Sequence, residues 1–115
     1  MSRKSPGSAA ARLQAHAPTF AALGDKTRLS LVARLSDGRP RSISQLTAGC
    51  RLTRQAVTKH LRVLQSVGMV RSARTGRESL FEFNPEPMEE LREYLNFVSK
   101  QWDQALSRLK SFVER

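Results

Sequence analysis

A seam of apolar residues runs through the last quarter of this 115-residue chain. Met88, Leu91, Leu95, Val98, Trp102, Ala105, Leu109 and Phe112 follow one another at spacings of 3, 4, 3, 4, 3, 4 and 3. That alternation is four heptads on one helical face, and it predicts a helix over 87–113, about 27 residues and roughly 40 Å long. Tyr94, Phe97, Leu106 and Val113 add a flanking apolar stripe. Two readings are open: a terminal helix folded back on its own core, or one that also pairs with a second copy. The length favours the second, because 40 Å exceeds what the rest of so short a chain needs for its own cover.

The length itself allows one domain, since single domains commonly run to roughly 100–150 residues. A two-domain enzyme does not fit. Apolar residues at 39% and charged residues at 26% are ordinary globular usage, so the chain is expected to fold. Its net charge is +10, and that charge is unevenly placed. Residues 1–83 hold 15 Lys or Arg against 4 Asp or Glu, a balance of +11, and residues 84–115 hold 5 against 6, a balance of −1. A polyanion-facing part and a separate assembly part would produce this division. Nucleic acid is the first candidate partner and acidic membrane the second. No apolar run approaches the roughly 18 residues of a spanning helix, and no signal-peptide stretch opens the chain, so a cytoplasmic protein without a membrane partner is expected. Cys50 is the single cysteine, in keeping with a reducing compartment.

Along the chain, residues 1–18 mix Ser, Gly, Pro, Ala and basic side chains without period, which predicts a flexible basic arm, set at 1–16, with a short helix near 9–14. A domain over 17–113 follows. Asp25 is placed to cap a helix running to about Ser36, Asp37-Gly38 ends it, and Pro40 marks a linker. Ser42-Ile43-Ser44-Gln45 is a Ser-x-x-Gln capping box opening a short helix to about Ala48. A second cap, Thr53, opens a helix over 53–67 with Val57, Leu61 and Leu64 on its apolar face, stopped by Gly68. Residues 69–74 and 79–83 then alternate around Thr75-Gly76-Arg77-Glu78, a β-hairpin. Asn84-Pro85-Glu86-Pro87 breaks it and starts the terminal helix. The fold class expected is mainly α with a small β-hairpin (α+β).

Two short helices joined by a tight turn, the second basic and amide-rich on its outer face, form a helix-turn-helix candidate. Arg, Lys and Gln match the acceptor and donor-acceptor pairs of guanine and adenine in the major groove. Thr53, Arg54, Gln55, Thr58 and Lys59 are thus the candidate base-reading residues, with Arg62 and the Thr53 hydroxyl placed for phosphates. Such a face on a lone helix would more often be mere solvation. The hairpin beside it decides otherwise, because Arg71, Arg74 and Arg77 surround its turn and would clamp the DNA backbone or minor groove. Glu78 is expected to position Arg77.

Phe20-Ala-Ala-Leu-Gly-Asp-Lys-Thr-Arg28, Leu52-Thr-Arg-Gln-Ala-Val-Thr-Lys-His-Leu61, Gly68-Met-Val-Arg71 and Thr75-Gly-Arg-Glu78 occur in that order. Together they resemble the ArsR/SmtB family of winged helix-turn-helix transcriptional regulators, over about residues 17–113. The resemblance implies a long C-terminal dimerisation helix, a homodimer on a palindromic double-stranded DNA operator, and repression relieved by an inducer the sequence does not identify. Leu91, Leu95, Val98, Trp102 and Leu109 would then form the dimer interface.

Many members sense metal through a Cys-Val-Cys pair in the helix before recognition. Here that segment reads Ser42-Ile43-Ser44-Gln45-Leu46, and Ser hydroxyls do not hold soft metals. Of the Asp and His that a second family site takes from the terminal helices, only Asp103 is present. His16, His60 and Cys50 are the only imidazoles and thiol, so neither metal nor cofactor is expected. The chain is similar to a branch of the family lacking the metal-binding cysteines. Cys50 itself is expected to be a small buried hydrophobe rather than a thiol switch. His60 is assigned to packing or bonding behind its helix. Arg51 stands where related turns often have Gly: either it takes a positive φ and is mildly strained, or Gly49 supplies the flexibility instead. Tyr94, Phe97 and Trp102 could border a small-molecule pocket, although dimer packing explains them more simply. Three rivals remain. An enzyme would need a nucleophile–base pair, a carboxylate pair or a phosphate-cradling Gly loop, and none is present. A non-specific DNA-organising or RNA-binding protein, and a protein-only module with a solvated basic face, differ from a regulator in competition and salt dependence.

Overall fold

The computed structural model describes residues 9–114. Eight elements follow in order: α1 (Ala9–Leu23), α2 (Lys26–Leu35), β1 (Arg41–Ser42), α3 (Ile43–Thr47), α4 (Arg54–Ser66), β2 (Val70–Thr75), β3 (Glu78–Phe83) and α5 (Glu86–Val113). The fold is mainly α with a small antiparallel sheet, a winged helix-turn-helix with a long C-terminal helix. Among the described residues no helix is long and apolar enough to cross a membrane.

Local chemistry accounts for most of the boundaries. The Asp25 carboxylate accepts the Arg28 backbone N–H at 3.0 Å and starts α2. Ser42 and Gln45 close a reciprocal capping box, Gln45 N to Ser42 Oγ at 3.2 Å and Ser42 N to Gln45 Oε1 at 2.8 Å, which starts α3. The Thr53 hydroxyl accepts the Ala56 N–H at 3.1 Å and starts α4. At the far end of α4, Met69 N donates to Leu64 O and Gly68 N to Gln65 O, each at 3.0 Å. This paired closure satisfies the last carbonyls and aims the chain into β2.

Apolar burial joins these pieces. Leu31, Val32 and Leu35 from α2, Leu46 from α3, Val57, Leu61 and Leu64 from α4, and Val70 and Phe81 from the hairpin form one cluster. Leu35, Leu46, Val57, Leu61 and Leu64 are fully enclosed. The 4- and 3-residue spacing on α4 thus gives the helix one inward face and leaves the opposite face outward.

Three expectations are corrected. The linker at Pro40 leads into a strand, β1, which pairs antiparallel with β3 through Arg41↔Phe81 and Ser42↔Leu80, so the sheet order is β1-β3-β2. Where composition predicts an arm over 1–16 with a short helix over 9–14, α1 is helical from Ala9 to Leu23. Residues 1–8 of that arm lie outside the described residues. Helix α1 runs through Pro18 despite the ~3 kcal/mol cost of an interior proline. Ala22, buried in the core, and Phe20, whose ring lies 6.1 Å from that of Tyr94, supply packing that opposes this cost. Finally, α5 begins at Glu86 and spans 28 residues, about 42 Å. Leu91 is covered within the chain, at 4% exposure, whereas Leu95, Val98, Trp102 and Leu109 are 40–64% exposed. Leu91 therefore belongs to the chain's own packing, and the outward seam begins one heptad step later.

Candidate nucleic-acid interface

Helix α4 presents Gln55, Lys59 and Arg62 to solvent along the face opposite Val57, Leu61 and Leu64, and Arg54 is exposed at the flank of that face, one heptad before Leu61. Three of them, Arg54, Gln55 and Lys59, fall within the first half of the helix, the end that enters a major groove first. Thr53 and Thr58 are less free. The Thr53 hydroxyl is engaged as the N-cap, and Thr58, half-buried, donates its hydroxyl to the Arg54 carbonyl at 2.7 Å. Both hydroxyls are thereby engaged within the helix itself.

Two polar contacts that the sequence did not disclose hold this face in place. Arg54 Nη1 donates to Ser44 Oγ at 2.7 Å, joining the first turn of α4 to α3. Gln65 Nε2 donates to Ser72 Oγ at 3.1 Å, joining its last turn to β2. The signal for the second lay in strand alternation: Ser72 shares a face with Val70, which is in the core, so it must look toward α4. The turn between α3 and α4 also resolves the question at Arg51. Gly49 takes φ +75°, and no residue other than glycine has positive φ among those described, so Arg51 is unstrained.

Cys50 is corrected. It is exposed, with Sγ accepting the Leu52 N–H at 3.5 Å. The reason is that α3 ends at Thr47 and Cys50 N closes a turn onto Thr47 O, so Cys50 lies beyond the helix. Leu52 packs on the core in its stead. His60 lies at the rear of α4, its Nδ1 3.2 Å from Arg28 Nη1 and 3.7 Å from Asp25.

The hairpin turns in two residues, Gly76 and Arg77, between the register partners Thr75 and Glu78. Gly76 has φ +63° and Arg77 does not have positive φ, which is the type II′ arrangement that needs glycine first. Arg71, Arg74 and Arg77 are all exposed, but they do not form one cluster. Alternation sends Arg74 to the Val70–Ser72 face and Arg71 to the other. Arg71 Nε lies 3.4 Å from Glu82 Oε1, its cross-strand partner. The side chain also lines an open groove of about 1210 Å³ between α5 and the base of the hairpin. Among the described residues Glu78 makes no ion pair with Arg77, so the pairing expected there is found instead between Arg71 and Glu82.

That groove is floored by Phe20, Leu23, Phe83, Met88, Leu91 and Leu95. Tyr94, Phe97 and Trp102, for which dimer packing was the simpler expectation, do not line it. Tyr94 instead stacks near His16, with ring centroids 5.1 Å apart, and ties α5 to α1.

Residues 23–73, the span from the end of α1 into β2, match the family described as a helix-turn-helix domain. YuzN of Bacillus subtilis, an uncharacterized HTH-type transcriptional regulator, is 38% identical over 78 residues, 63% of this chain and 85% of that protein. The HTH-type transcriptional regulator Rv2034 of Mycobacterium tuberculosis is 29% identical over 93 residues, 81% of this chain and 83% of its own. Among solved structures, an ArsR-like transcriptional regulator from Rhodococcus sp. RHA1 superimposes with a TM-score of 0.73 at 33% identity, covering 84% of this chain and 91% of that one. The order of helices, the outward basic face of α4 and these likenesses agree, and the chain belongs to the ArsR family of winged helix-turn-helix, DNA-binding transcriptional regulators, which are not enzymes.

Proposed function

We propose that the chain acts as a homodimeric repressor in the cytoplasm. It would read a palindromic operator through Arg54, Gln55 and Lys59 and hold the DNA backbone through Arg62, Arg74 and Arg77. The observation that carries this is the outward face of α4, basic and amide-bearing, fastened at its first turn to Ser44 and at its last to Ser72. A helix fixed at both ends can present bidentate donors at a constant angle, which base reading demands. The partner is a second copy, because α5 carries Leu95, Val98, Trp102 and Leu109 outward over more than three turns. A two-fold dimer would set its half-sites about 34–36 Å apart. The inducing signal is not a soft metal held before the recognition helix. Ser42 there is buried, and its hydroxyl is already committed to the capping box.

The test is enrichment of duplexes from a randomised library, followed by competition with random DNA. The repressor reading expects a two-fold-symmetric sequence that survives excess competitor. Arg54→Ala and Gln55→Ala should then each lower discrimination by roughly 1–3 kcal/mol. No enriched sequence, with equal loss on every duplex or on RNA, would favour a non-specific nucleic-acid-coating protein.

A further inference from the structure

Arg28 occupies a junction that neither dimer packing nor base reading accounts for. Its Nε donates to the Ala22 carbonyl at 2.5 Å and its Nη2 to the Ala21 carbonyl at 3.4 Å, so the side chain closes the C-terminal end of α1. Its own backbone N–H is held by Asp25 at the start of α2. The remaining amine, Nη1, lies 3.2 Å from His60 Nδ1 on α4. A guanidinium has only donors, so Nδ1 must be the acceptor. Asp25 stands 3.7 Å from the same nitrogen, and the Arg28 N–H, first among its neighbours, holds that carboxyl below its ordinary range. Through Arg28, whose backbone N–H Asp25 holds, the bond to His60 thus pins the mid-point of α4 to the ends of α1 and α2.

From this convergence we propose that Asp25, Arg28 and His60 are positioning residues for operator recognition: they fix the rotation of α4 about its axis and hence the aim of Arg54, Gln55 and Lys59. The inference rests on α4 being the reading helix. The contacts made by Ser44 and Ser72 lie at its two ends, whereas His60 sits between them, on the turn carrying Lys59. Losing it leaves the apolar face of α4 in place but lets the helix turn on it.

The experiment pairs two substitutions of one residue. His60→Phe keeps a ring of similar size without an acceptor, and His60→Asn keeps an acceptor oxygen near the Nδ1 position. Each is titrated, as full-length protein, against a duplex enriched by the wild type and against a random duplex of equal length and salt. His60→Phe and Arg28→Met should lower the enriched-to-random affinity ratio by at least about tenfold, the scale of one charge-assisted hydrogen bond. Binding to random DNA should change by less than about twofold, and His60→Asn should keep the wild-type ratio within about the same factor. The double variant Arg28→Met/His60→Phe should be no worse than the poorer single one. A ratio left unchanged by His60→Phe, or lowered as much by His60→Asn, overturns the latch while leaving the reading of α4 intact. A wild type that enriches no sequence overturns that reading and the latch with it.

Discussion

The three wing arginines are alike in sequence and unlike in structure, and salt dependence separates them. Each phosphate contact made by a cation releases condensed counterions and contributes about 0.9 to the slope of log affinity against log salt. In a two-fold dimer every substitution acts twice, so removing one full contact should lower the slope by about 1.8. Between 50 and 200 mM salt that amounts to roughly a twelvefold smaller loss of affinity. Arg77 and Arg74 should deliver this change when replaced by Ala, since neither makes an ion pair among the described residues. Arg71 should deliver clearly less than half of it. Its guanidinium already has Glu82 at 3.4 Å, and it points to the face away from Arg74. Fluorescence anisotropy of a labelled random duplex over that salt range gives the slopes directly. If Arg71→Ala flattens the slope as much as Arg77→Ala, the facing deduced from strand register does not govern phosphate contact.

Two further outcomes are expected. Trp102 is 64% exposed on the outward seam, and covering most of an indole is worth about 3–4 kcal/mol per copy at roughly 25 cal/mol per Å², so Trp102→Glu should weaken self-association at least about a hundredfold in sedimentation equilibrium; unchanged association would remove Trp102 from the interface. Asp37 is held well below the ordinary carboxylate value of 3.8, chiefly by the Arg41 side chain at 2.9 Å and then by the Arg39 N–H. A depressed value means that its stabilisation is present above about pH 4 and fades as pH falls below it. Asp37→Asn should therefore melt lower than the parent at pH 6, with the gap narrowing by pH 3, and a gap independent of pH would refute the assignment.

How legible each part was follows from the range of the interaction that decides it. Caps act within four residues, and Asp25, Ser42 and Thr53 could be placed from their neighbours alone. The apolar face of α4 and the alternation of the hairpin are equally local. Strand β1 was not legible, because two residues carry no period and its partner lies about 40 positions away in β3. Helix α1 was hidden by Pro18 and an alanine-rich composition, and it is held by contacts with Tyr94 and the core that no local signal announces. Leu91 sits on the same heptad seam as Leu95, and nothing in the repeat tells the covered position from the outward one. Arg71 shows the opposite case: period-2 alternation already placed it across from Arg74, but three like charges near one turn read more readily as a cluster.

Why a recognition helix should need polar fastening at all follows from what apolar packing cannot do. Val57, Leu61 and Leu64 hold α4 against the core through a contact that is strong but non-directional. A rotation of about 10° on such a face costs little, yet at a side-chain radius of roughly 6 Å it displaces a donor by about 1 Å. Bidentate contact with a base edge tolerates less than that, since hydrogen bonds weaken steeply as distance and angle depart from their optima. Directional bonds are what convert a stable helix into an aimed one. On α4 they fall at Arg54, His60 and Gln65, one near each end and one between, reaching α3, the α1–α2 junction and β2 in turn. Because α1 also carries the contacts of His16 and Phe20 with Tyr94, the middle fastening shares a helix with the packing of α5. The end fastenings lie within the helix-turn-helix and its wing, so the contact at His60 is the one of the three that bears on the side of the molecule from which the outward seam of α5 extends.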